Sequence, residues 1–191
     1  MKKLLVLVCA TAAFSMATGN ATADSINGKL GVTGKIGVQI PSNGDMGPNR
    51  NETDAGVVGG VGLIYGIDNH FAAETDISHS ELDSDFGNFG VTDFALGAQY
   101  RFVLGQHKLV PYAGTGLDLL VVNADHGNVG TTVGIHVNGG VDYFITKQLA
   151  LTAEARVVVA PDTNIDGPNG ERGHFDPTSF STTFGARYFF N

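Results

Sequence analysis

The chain has 191 residues, with 11 Lys and Arg against 19 Asp and Glu and a formal net charge of −8. That acidity argues against nucleic acid and anionic lipid headgroups as partners through bulk electrostatics. One cysteine, Cys9, excludes an internal disulfide.

Residues 1–23 read as a secretory signal. Lys2 and Lys3 precede an apolar run from Leu4 to Ala13, which is too short to span a bilayer, and Ala21-Thr22-Ala23 supplies a small-x-small cleavage site. Cleavage after Ala23 removes Cys9 with the leader. It leaves one domain, 24–191, of 168 residues with 9 bases and 19 acids. No later apolar run reaches the length of a membrane helix.

From there the dominant period is two. Alternation predicts eight strands in chain order, at about 28–40, 55–66, 71–80, 89–103, 109–122, 132–145, 149–160 and 179–190. In the first, Leu30, Val32, Ile36, Val38 and Ile40 share a face opposite Lys29, Thr33, Lys35 and Gln39. In the fourth, Phe94, Leu96 and Tyr100 oppose Asp93, Gln99 and Arg101. In the sixth, Val133, Ile135, Val137 and Val141 oppose His136, Asn138 and Asp142. In the seventh, Leu149, Leu151, Val157 and Val159 oppose Thr152, Glu154 and Arg156. The last places Phe180, Phe184, Tyr188 and Phe190 opposite Arg187. Each segment is long enough to cross a bilayer when tilted, which takes roughly 9–11 residues. Short turns at 67–70, 104–108 and 146–148 alternate with Gly/Asn/Asp-rich loops at 41–54, 81–88, 123–131 and 161–178.

The apolar faces of all eight segments lack Lys, Arg, Asp and Glu. A base there would cost roughly 2–4 kcal/mol at a bilayer midplane. The opposite faces are crowded with glycine, among them Gly31, Gly37, Gly60, Gly62, Gly97, Gly114, Gly116, Gly134, Gly140 and Gly185. Glycine weakens an exposed strand and belongs where space is short, as in the interior of a narrow barrel. The predicted fold is therefore an all-β, eight-stranded, antiparallel, up-and-down transmembrane barrel. Its lumen carries a polar network of Lys29, Lys35, Glu74, Asp76, Asp93, Arg101, Asp118, His136, Asp142, Glu154, Arg156 and Arg187. Five bases and six acids in one narrow space should pair, with Tyr112 and Asn138 completing the hydrogen bonding. Tyr65, Phe71, Tyr100, Phe102, Tyr143, Tyr188 and Phe190 gather at the short-turn end as an interfacial girdle.

The signal peptide, the strand "LVPYAGTGLDL", the hairpin "VDYFITKQLALTAEAR" and the aromatic last strand resemble the small eight-stranded outer-membrane barrels of Gram-negative bacteria, the OmpW/OmpX and OmpA transmembrane-domain group. The resemblance covers essentially the whole chain after the leader. It implies outer-membrane location with both termini periplasmic, contact with outer-membrane lipid and lipopolysaccharide, and insertion by the barrel-assembly machinery. It also offers several roles: adhesion, envelope stabilisation, and passage of small hydrophobic solutes. A monomer without enzymatic activity is expected.

Catalytic and metal motifs are sparse. The six histidines lack ligand spacing. In "SHSE", Ser78 to Glu81, strand neighbours point to opposite faces, which separates His79 from Ser80 and weakens a lipid-modifying site. "DTNIDG" sets Asp162, Asn164 and Asp166 in the spacing of the first half of a calcium loop, a weak candidate for a divalent cation. The long loops hold Asp45, Glu52, Asp54, Glu81, Asp83, Asp85, Asp125, Asp162, Asp166, Glu171 and Asp176 against Arg50 and Arg172. An acidic rim around a nearly neutral lumen follows. The expected role is structural or interactive, through those loops, with small-solute passage as the alternative.

Overall fold

The computed structural model describes residues 26–41, 45–46, 49–50, 55–84, 87–103, 108–124, 130–161, 163–166, 172–175 and 177–190. The expected leader, with Cys9 and the cleavage site, lies outside the described residues. The strands in chain order are β1 (Leu30–Pro41), β2 (Asp45–Met46), β3 (Asn49–Arg50), β4 (Gly56–Gly66), β5 (Phe71–Ser84) and β6 (Gly87–Arg101). They continue with β7 (Leu109–Ala124), β8 (Gly130–Phe144), β9 (Leu149–Val159), β10 (Thr163–Asp166), β11 (Arg172–Phe175) and β12 (Ser179–Phe189). Eight of them close into a barrel in the order β1-β12-β9-β8-β7-β6-β5-β4. Each barrel pair is antiparallel, including the seam where Gly31 faces Phe189 and Pro41 faces Ser179. Closure satisfies every ladder internally and leaves no free edge.

The pleat sorts side chains as the period predicts. Ile36, Val61 and Leu96 are about two-thirds exposed, whereas Arg101, Asp118 and Asp142 are at most 1% exposed. This is a soluble protein turned inside out. Among the described outward positions, only His79 and Glu81 near the far end of β5 interrupt the uncharged wall.

Two expectations about the far end are corrected. The predicted loop at 81–88 is mostly ladder, because Leu82 pairs with Phe89, Asp83 with Asn88 and Ser84 with Gly87. Alternation simply continues, so Glu81 and Asp83 sit on β5 rather than in a loop. The loops at 41–54 and 161–178 contain small hairpins of their own, β2–β3 and β10–β11.

The turn end has local causes. Asp68 Oδ1 accepts from the backbone N–H of His70 and of Phe71, both at 2.6 Å. Thr146 Oγ1 accepts from the N–H of Leu149 at 2.9 Å. Each side chain mimics a backbone turn acceptor and sets a hairpin. The segment before β1 also turns inward. Lys29 N–H donates to Ile26 O at 2.9 Å across a turn whose Gly28 has φ +70°, a conformation suited to glycine. That hook delivers Ile26 into the barrel, where it packs with Ile64, Ala72, Val110, Phe144, Ala150 and Phe189.

Interior glycines mark close approach. A Cβ on Gly116 would strike the backbone of Leu96 and Gly97 and the His136 ring, whereas one on outward Gly34 would meet nothing within 4 Å. Gly116→Val is therefore expected to destabilise the barrel by about 1–3 kcal/mol, while Gly34→Val leaves it nearly unchanged. Urea unfolding in lipid vesicles measures the contrast. The two donors on Asp68 hold its carboxyl below the usual 3.8. The turn it caps is complete above that value and loosens as pH falls through the depressed pKa. Asp68→Ala should show the same faster His70 and Phe71 amide exchange at neutral pH.

Candidate functional site: the filled lumen

Stacked tiers fill the barrel. At the turn end lies the apolar plug just described, with the rings of Phe144 and Phe189 stacked at 5.9 Å. Above it Asp142 Oδ2 accepts from Arg101 at 2.7 Å and from Arg187 at 2.9 Å. Arg187 Nε donates to Thr33 Oγ1 at 3.0 Å, and its Nη2 lies 3.8 Å from Glu74. Both guanidinium groups approach the Tyr112 ring, at 6.0 Å for Arg101 and 5.4 Å for Arg187. Gln99 bridges the tier, accepting from Arg101 at 2.9 Å and donating to Glu74 at 2.6 Å.

The middle tier links further strands. Asn138 donates to Glu74 at 3.1 Å and to Glu154 at 3.0 Å, and the Tyr112 hydroxyl donates to Glu154 at 3.1 Å. Lys35 bridges Asp76 at 3.1 Å and Glu154 at 3.3 Å. Arg156 pairs with Asp76 at 3.1 Å and approaches Asp93 at 4.0 Å. His136 Nδ1 sits 2.9 Å from both Asp118 oxygens. Toward the far mouth the lining turns apolar again with Val91, Leu120, Val122, Val158 and Ala160. A shallow vestibule opens there, with about 30 Å³ of space for water. Lys35, Asp93, Glu154 and Arg156 form its charged floor, and Val58, Val91, Leu120 and Val158 contribute its apolar wall.

The structure brings together the twelve residues expected in the lumen, except that Lys29 is half-buried just before β1. Gln99 and Thr33 join the network without having been expected there. So do Ile64, Phe144 and Phe189 as a plug. Their signal was the same alternation, since Phe144 and Phe189 fall on the face opposite Tyr143 and Tyr188. The girdle residues cluster at the turn end, where Tyr100 meets Phe71 at 5.1 Å and Phe102 at 5.0 Å edge-on. Tyr188 meets Phe190 in the same way at 5.3 Å. Lys108 Nζ lies 5.8 Å from the Tyr143 ring centroid, a cation–π contact at the same rim.

Serine and histidine in "SHSE" diverge. Ser80 is buried and donates to Val91 O at 3.4 Å, while exposed His79 hydrogen-bonds Thr92 at 3.0 Å. Asn164 and Asp166 lie in β10, paired with His174 and Arg172, and Asp162 lies outside the described residues. The backbone there is extended, unlike the curled chain of a calcium loop. Among the described residues, no three His, Cys, Asp or Glu side chains converge closely enough to hold a metal ion.

A protein-family model described as "Outer membrane protein beta-barrel domain" matches residues 6–190. Among solved structures, OprG from Pseudomonas aeruginosa is 13% identical, with 88% of this chain and 100% of that chain covered and a TM-score of 0.69. Neisserial surface protein A is 19% identical, with 86% and 98% covered and a TM-score of 0.67. Ail, the attachment invasion locus protein of Yersinia pestis, is 9% identical, with 86% and 99% covered and a TM-score of 0.53. Among curated proteins none matches the sequence. At these identities the likeness concerns the fold.

Asp142 holds two buried arginines, so Asp142→Asn leaves both without a full counter-charge. A loss of about 3–5 kcal/mol is expected, read as a lower urea midpoint in vesicles. Glu81→Gln, on the exposed face, should fall within about 0.5 kcal/mol of the native protein.

Proposed function

The chain belongs to the outer-membrane protein β-barrel family, and from that premise we propose that it is a closed, membrane-anchored scaffold whose working surface is its acidic crown. The observation that carries this reading is the filled lumen. Phe144, Phe189 and Ile64 occupy the cross-section at the turn end, directly below Arg101, Asp142 and Arg187. Eight strands leave an interior just wide enough for side chains, and here side chains fill it. The aromatic girdle supports placing the turn end at one membrane interface and the crown at the other. Glu81 and Asp83 ride on the β5–β6 ladder beyond the apolar band, alongside the acids of the neighbouring connections.

In this reading the turn end faces the periplasm and the crown faces outward. Divalent cations bridge crown carboxylates to lipopolysaccharide phosphates, and the barrel works as a monomer without catalysis. A second reading, motivated by the mixed charged and apolar lining of the vestibule, is the uptake of a small solute at the outer mouth with exit through the wall rather than along the axis. The two separate in planar bilayers. The scaffold reading expects no stepwise current from the native protein, and a leak once Phe144→Ala and Phe189→Ala thin the plug. It also expects chelation of divalent cations to lower the melting temperature in lipopolysaccharide bilayers and not in phosphatidylcholine. Native stepwise currents, with no effect of chelation, would transfer the assignment to solute passage.

A further inference from the structure

We propose that the β1–β12 seam, where the two ends of the barrel sheet meet, is closed by a charge latch. The lumen charges are segregated by strand. On β4 to β9 the described lumen side chains include six carboxylates, Glu74, Asp76, Asp93, Asp118, Asp142 and Glu154, against Arg101 and Arg156. Those six strands therefore hold four negative charges in excess. The seam strands reverse the sign. β1 contributes Lys35 and β12 contributes Arg187, and neither presents an acid to the lumen among the described residues.

Each cation reaches over a neighbouring strand to one two places along the ring, and part of this set of contacts spans the seam. Lys35 meets Asp76 on β5 at 3.1 Å and Glu154 on β9 at 3.3 Å. Arg187 meets Asp142 on β8 at 2.9 Å while donating to Thr33, its register partner on β1, at 3.0 Å. Gly31, Gly37 and Gly185 occupy three of the seam's lumen-facing pairs, as glycines do in the β1–β4 and β7–β8 ladders. β1 and β12 are also the terminal strands of the sheet, each able to peel away while its other edge stays paired. Peeling β1 from β12 would break the contacts that span the seam, Lys35 with Glu154 and Arg187 with Thr33 and Glu74, and leave those acids short of a counter-charge in a low-dielectric interior, where an uncompensated charge is strongly unfavourable. The excess of four carboxylates on β4 to β9 thus meets two cations from the seam strands, and closure halves it.

The test uses the full chain with Cys9→Ser in phosphatidylcholine vesicles, comparing it with a Lys35→Met, Arg187→Met variant by hydrogen exchange. Amides of the β1–β12 ladder should exchange at least about tenfold faster in the variant, while those of β6–β7 stay within about twofold. A disulfide between Gly34→Cys and Ala186→Cys, outward register partners across the seam, should restore protection. The same bond between Ala73→Cys and Ala98→Cys on β5–β6 should not. If the double variant fails to insert, the seam disulfide must restore insertion where the control disulfide does not. Uniform acceleration in all strands, no acceleration, or equal rescue by the two cross-links would overturn the latch.

Discussion

Hydrocarbon against the outer wall is the constraint from which the other features follow. No water is available there to satisfy a backbone amide or solvate a charge, so each strand must find a partner on both edges and the sheet must close. Closure at eight strands then fixes a narrow interior. The polar half of every alternating strand has nowhere else to go. The ion pairs and glycines of the lumen are consequences of that geometry, one set cancelling charge and the other making room.

Filling the interior this way gives the barrel a layered axis. Apolar side chains stop the turn end, a buried network occupies the middle, and an apolar cluster from β6, β7 and the end of β9 lines one side of the opposite mouth. Arg101 and Arg187 converge on one carboxylate oxygen, with Tyr112 beside both, so five strands meet at a single point. Such a network is most favourable when every member is matched. It ties the strands of the cross-section together and fills the middle of the lumen.

Much of this was legible in the sequence because period two is a strong signal and a charge is hard to hide. The uncharged faces of the first, fourth, sixth and seventh segments located the wall, and the acids and bases between them located the network. What escaped had physical reasons. Phe144 and Phe189 look like lipid-facing aromatics by type, and only their parity reveals that they point inward. Ile26 precedes the first strand and reaches the core through a glycine turn, which hydrophobic period does not register. The polar composition of 81–88 suggested a loop, yet Asp83 and Asn88 pair across a ladder that runs on regardless of side-chain polarity. The grouping of cations on the first and last strands was visible in the residues, whereas their partners two strands away were not.

Strand length gives the molecule a lopsided profile. β5 to β8 run 14 to 16 residues, whereas β9, β12, β1 and β4 run 11 or 12. One flank therefore stands taller, like the back of a chair, and the shorter flank is topped by separate hairpins, β2–β3 and β10–β11. Segments grafted there would lengthen hairpins that touch each other through β2 and β11, whereas the tall flank changes only by extending the barrel's own hydrogen-bonded rungs.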